Sequence, residues 1–139
     1  MLDNNPASKI RVLVAEDNPA LALVVRLHLE HAGFQVTVAR NGAEAWGLLQ
    51  RQDFEVLVTD HQMPELSGAE VCQRMRQQER LARVGVVMLT AKGLEMELDR
   101  MRSELGVWQV LPKPFSIRHL VEAVEECSRE QSTWSCPAG

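Results

Sequence analysis

Five residues of this chain carry groups suited to a phosphoryl group or a hard cation, and each follows a short apolar run. Glu16 and Asp17 follow Val12-Leu13-Val14-Ala15, Asp60 follows Val56-Leu57-Val58-Thr59, Thr90 follows Val84 to Leu89, and Lys113 follows Val107 to Leu111. Three carboxylates gathered on one rim would repel each other, and a cation among them removes the conflict. An oxygen-only site on an open rim suits Mg²⁺ better than the softer transition metals. Lys113 would keep Asp60 ionised and meet a phosphoryl oxygen as a point charge, while the Thr90 hydroxyl can donate to such an oxygen or accept from a neighbour. An ionised carboxylate in that company is a nucleophile arranged to attack phosphorus, with positive charge where the transferring group develops negative charge. Singly, each residue has a plainer use. Glu16 or Asp17 can cap the first helix, Asp60 the helix after its own strand, Thr90 can be a turn residue, and Lys113 a solvated charge. Those uses leave unexplained why carboxylates, hydroxyl and ammonium all fall at the ends of the runs.

The elements that must position them alternate along the chain, which is the signature of βαβ units on a parallel sheet. The strands are expected at Val12 to Ala15, Phe34 to Val38, Val56 to Thr59, Val84 to Leu89 and Val107 to Leu111. Helical spacing follows in Ala45, Leu48 and Leu49, in Gly68, Val71, Cys72 and Met75, in Leu94, Leu98, Met101 and Leu105, and in Ile117, Leu120, Val121 and Val124. Asn18-Pro19 opens the first helix, Asn41-Gly42 precedes the second, and Gly33 and Gly106 close the first and fourth. Runs one, three and four are almost wholly apolar, as strands covered on both faces are, whereas runs two and five admit polar residues as edges do. The order is therefore read as 2-1-3-4-5: an α/β, doubly wound, five-stranded parallel sheet with five helices. Ligands of such sheets bind at the carboxyl ends of the strands where the winding reverses, here between strands 1 and 3.

Composition fits one domain of this kind. The chain has 139 residues, a formal charge of −4 and 45% apolar residues, so it can bury a core and lacks the basic surface that non-specific nucleic-acid or anionic-membrane binding needs. Three cysteines without C-x-x-C spacing support neither a disulfide framework nor a zinc site and fit a reducing, cytoplasmic setting. Residues 1–8 and 128–139 are expected to be flexible ends around a domain at 9–127.

The set Glu16-Asp17, Asp60-x-x-Met63-Pro64-x-x-x-Gly68, Thr90-Ala91 and Lys113-Pro114-Phe115 resembles the receiver domain of two-component response regulators, over about residues 9 to 127. The resemblance implies a flavodoxin-like fold. It implies Asp60 as the phosphoacceptor, Asp17 and Asp60 as direct Mg²⁺ ligands, Glu16 as a ligand through water, and the main-chain carbonyl of Gln62 in the same shell. It places Thr90 and Lys113 on the phosphoryl group, makes the Lys113-Pro114 bond cis, and gives Gln62 and Lys92 positions that modulate hydrolysis of the acyl phosphate. The implied partners are a histidine kinase or histidine phosphotransfer protein and a downstream protein target, with the chain monomeric or dimerising on phosphorylation. It implies no enzyme beyond transfer to Asp60 and slow loss of the group. One position departs from the pattern: three residues before the lysine, where the family carries Tyr or Phe, stands Val110, whose β-branched side chain has no ring to swing. A pseudo-receiver acting as an interaction module is the alternative that Val110 supports. An aspartate-nucleophile phosphohydrolase of the haloacid dehalogenase type is weaker, since its general acid would stand at Gln62.

Overall fold

The computed structural model describes residues 9–91, 100 and 102–133. Its strands are β1 (Arg11–Ala15), β2 (Gln35–Ala39), β3 (Val56–Asp60), β4 (Gly85–Thr90) and β5 (Gln109–Pro112). All neighbours pair in parallel, in the order β2-β1-β3-β4-β5. The helices are α1 (Pro19–His31), α2 (Gly42–Arg51), α3 (Gly68–Arg76), the helical residues 102–105 (α4) and α5 (Ile117–Thr133). Of the fourth helical pattern, Leu94, Leu98 and Met101 lie outside the described residues, and Leu105 is helical.

The expected edges and centre are those observed: β3 and β4 are buried throughout, while β2 and β5 keep partly exposed positions. Side-chain alternation sorts the strands into two apolar layers. Leu13, Leu57, Val86 and Met88 point into one layer with Ala45 and Leu49 of α2 and Val71, Cys72 and Met75 of α3. Val12, Val14, Val58, Val87 and Leu89 point into the other with Val25 and Leu29 of α1 and Leu120, Ala123 and Val124 of α5. Helices therefore cover both faces, and the winding reverses between β1 and β3.

Several bounds shift: β3 takes in Asp60, β4 runs from Gly85 through Thr90, and Val107 and Trp108 precede β5. Phe34 precedes β2 rather than opening it, buried in the α1/α5 layer. The last helix continues to Thr133, so residues 128–133, expected in the tail, extend α5, while 1–8 and 134–139 lie outside the described residues.

Candidate functional site

Strand register brings the site together. Ala15 pairs with Thr59, so the next residues, Glu16 and Asp60, emerge side by side; Asp60 pairs with Leu89, and Thr90 with Pro112, which sets Thr90 beside the start of Lys113. The Lys113 amide donates to the Thr90 carbonyl at 2.7 Å, and the Lys113-Pro114 peptide is cis. Carboxylate oxygens of Glu16, Asp17 and Asp60 lie within 4.8 Å of one another. The Lys113 ammonium sits 3.1 Å from Asp60 Oδ1 and 3.5 Å from Glu16 Oε1.

The plainer uses of the acidic residues do not hold. Asn18 caps α1, its Oδ1 accepting the amides of Ala20 and Leu21 at 3.0 and 3.3 Å. Ser67 caps α3 in a reciprocal box with Glu70. That box is written in the sequence as Ser67-x-x-Glu70, the local signal that assigns this cap to Ser67 and not to Asp60. Asp17 is exposed at the rim, whereas Glu16 and Asp60 are buried polar residues.

Burial dominates their electrostatics. It pushes the Asp60 carboxyl above its ordinary range; Lys113 pulls it back, and Asp17 adds to the rise. Burial likewise raises Glu16, against the hydrogen bond from the Asn18 amide. For Lys113, burial favours the neutral amine, but Asp60 and Glu16 outweigh it and the ammonium is held more firmly than usual. Thr90 Oγ1 is buried without a hydrogen bond, and buried Glu16 Oε1 has only the Lys113 ammonium, at 3.5 Å. A cluster with more negative than positive charge, whose buried Glu16 Oε1 has one long ion pair and no close hydrogen bond, fits a hard divalent cation, which takes oxygen ligands and tolerates water in its shell.

The loop carrying Gln62 is pinned by Met63 and Leu66, both buried in the α2/α3 layer. Gly68 is required by close approach, since a Cβ there would stand 2.3 Å from the Asp60 carbonyl oxygen. The positive φ in this loop falls on Glu65, at 72°. Gln62 and Ala91 are exposed, and Lys92 lies outside the described residues. Val110 is half-buried, paired with Met88 and packed on the α2/α3 layer. Trp108 is 39% exposed just before β5 and borders a cleft of about 660 Å³ at the pole opposite the acidic rim. Two residues of the loosely basic stretch Arg74, Arg76, Arg80 and Arg83 bind backbone: Arg76 donates to the carbonyls of Leu105, Ala82, Val84 and Gly106 at 2.7 to 3.1 Å, and Arg80 donates to the Leu49 carbonyl and to Asp53 Oδ1.

A doubly wound parallel sheet with three carboxylates and a lysine at its switch point defines a flavodoxin-like domain with an acidic, cation-competent rim. Residues 12–125 match the response regulator receiver domain, and the chain belongs to that family, whose members are signalling domains of two-component systems. It is 37% identical over 119 residues to the phosphate regulon transcriptional regulatory protein PhoB of Rhizobium meliloti (strain 1021), covering 86% of this chain and 52% of that protein. To RpaA of Synechocystis, described as a DNA-binding dual master transcriptional regulator, it is 32% identical, covering 86% and 49%. The chain thus spans about half the length of these curated relatives. The receiver domain of Francisella response regulator 1452 superposes with a TM-score of 0.81 at 30% identity, over 88% of this chain and 98% of that one. Receiver domains generally bind Mg²⁺ at an acidic pocket, interact with histidine kinases and pass the signal to effectors. Among the described residues no helix is long and apolar enough to cross a membrane.

Proposed function

We propose that this domain is a phosphoryl-accepting switch in which Asp60 is the acceptor. The carrying observation is the meeting of the Glu16, Asp17 and Asp60 carboxylates within 4.8 Å, with the Lys113 ammonium 3.1 Å from Asp60. Glu16, Asp17, Asp60 and the main-chain carbonyl of Gln62 would hold Mg²⁺, which supplies charge neutralisation for the anionic groups that meet there. An Asp60 oxygen attacks the phosphorus of a phosphohistidine; the new P–O bond forms as the P–N bond breaks, and the imidazole nitrogen leaves with the electron pair. Lys113 holds Asp60 ionised before attack and stands ready to pair with the transferred group. The unpartnered Thr90 hydroxyl is free to donate to a phosphoryl oxygen without breaking an existing bond.

Transfer replaces one negative charge at Asp60 with about two, and the β4–α5 face then changes its affinity for a protein target. The donor is a histidine kinase or phosphotransfer protein, and the setting is the cytoplasm. Incubation with Mg²⁺ and acetyl phosphate, followed by intact mass measurement, tests the reading. Wild type should gain one phosphoryl group and Asp60→Asn none. A wild type that gains nothing where other receivers are labelled, or equal gain by both proteins, refutes it.

A further inference from the structure

The corner between β2 and α2 touches the backbone of Glu16 on one side and the loop that follows Asp60 on the other. On one side the Ala39 carbonyl accepts the Glu16 amide at 3.1 Å. On the other, Gly42, the buried first residue of α2, lies so close to the loop after β3 that a Cβ on it would stand 1.8 Å from the Leu66 carbonyl oxygen and 2.7 Å from its carbon. Neither partner can yield cheaply. The start of α2 is fixed by Asn41 Oδ1, which accepts the Glu44 amide at 2.8 Å, and by Glu44 Oε1, which accepts the Arg40 amide at 2.7 Å. The loop is fixed by the buried Leu66 side chain, by the Leu66 amide donating to Pro64 at 2.8 Å, and by the Gly68 amide donating to His61 at 2.9 Å. Residues 61–67 therefore sit between a glycine at α2 and a glycine at α3, and any side chain at 42 must drive the two backbones more than an ångström apart.

We propose that Gly42 is a positioning residue for the acceptor centre: its missing side chain lets α2 seat the loop at Leu66, so that Gln62 and Asp60 share one rim with Glu16 and Asp17. The inference rests on the reading of Asp60 as a Mg²⁺-dependent acceptor. Groups that hydrogen-bond to a metal's ligands commonly carry about 10- to 100-fold of its affinity; Gly42 acts one step further out, so the low end of that range is expected.

The test compares Gly42→Ala with Gly47→Ala in the same helix, where an added Cβ meets nothing nearer than the Arg51 guanidinium end at 3.7 Å. Mg²⁺ affinity is measured by calorimetric titration well below the melting temperature, and the rate of labelling by acetyl phosphate by mass. Gly42→Ala should bind Mg²⁺ about 10-fold more weakly and label more slowly, while Gly47→Ala matches wild type in both. A Gly42→Ala protein that melts earlier but binds Mg²⁺ like wild type overturns the inference, because a purely structural glycine leaves the affinity of the folded molecule unchanged. Should Gly42→Ala not fold, amide NMR of wild type decides. The Gly42 signal should move on Mg²⁺ addition with the midpoint of the Asp60 signal while Gly47 stays still; an unmoved Gly42 signal overturns the inference. A wild type that binds no Mg²⁺ and gains no phosphoryl group overturns the acceptor reading, and the inference with it.

Discussion

Replacing Asp17 by Asn should stabilise the metal-free domain and weaken its response to Mg²⁺. The substitution removes one of three negative charges at almost constant volume, on an exposed residue whose loss leaves the core untouched. Two unit charges at the observed limit of 4.8 Å repel by about 0.9 kcal/mol in water and about 3.5 kcal/mol at an effective dielectric constant of 20. Asp17 faces solvent and Lys113 offsets part of the Asp60 charge, so the lower figure governs, about 1 kcal/mol. For a chain of 139 residues that corresponds to a rise of roughly 3 °C in the melting temperature. Mg²⁺ at ten times its dissociation constant should stabilise wild type by about 1.4 kcal/mol, and losing a ligand should remove most of that gain. Differential scanning calorimetry at low ionic strength, with chelator and then with Mg²⁺, reads both effects. Added monovalent salt should shrink the metal-free difference, since screening acts on exposed charge. A variant that melts below wild type without metal, or that gains as much from Mg²⁺, would refute the claim that the cluster is a repulsive site awaiting a cation.

The same cluster sets a pH dependence. Burial raises the Asp60 carboxyl above its ordinary 3.8, so the folded chain holds that proton more tightly; the stabilisation is present below the unfolded value and lost as pH rises through the folded one. The metal-free melting temperature of Asp60→Asn should therefore gain on wild type as pH rises through that window, and a difference that is flat or shrinks with pH would contradict it. Glu65 holds φ at 72°, a region that costs a residue with a Cβ, so Glu65→Gly should raise stability by about 0.5–1 kcal/mol in urea unfolding, and Glu65→Ala should not. Equal gains from both would place the effect in the side chain instead of the backbone. Arg76 satisfies four backbone carbonyls from the α3–β4 and α4–β5 connections, so Arg76→Met should cost about 2–4 kcal/mol. Arg76→Lys should recover less than half, because one ammonium cannot reproduce the planar fork. A loss below about 1 kcal/mol by urea midpoint would mean that water replaces the guanidinium.

What was legible in the sequence is what repeats or sits at a boundary. Strand order followed from how evenly apolar each run is, because a central parallel strand has no solvent face to show: the wholly buried β3 and β4 read as Val-Leu-Val and Val-Val-Met-Leu, while edge β2 carries Gln35 and Thr37. Once order is fixed, register places residue 16 beside residue 60, and the meeting of Glu16, Asp17, Asp60, Thr90 and Lys113 at one rim becomes a topological consequence. Contacts between backbones distant in sequence were not legible. The Asn41-Gly42 pair announces a turn, yet Gly42 is demanded by Leu66, 24 positions on, and no local pattern encodes that distance. Nor could spacing place the positive φ on Glu65 when Gly68, three residues on, is needed for close approach. The chemistry of this rim lies on four strand ends, but its precision lies in the connections that hold them. Two of those connections are closed by glycines whose role is to occupy no space.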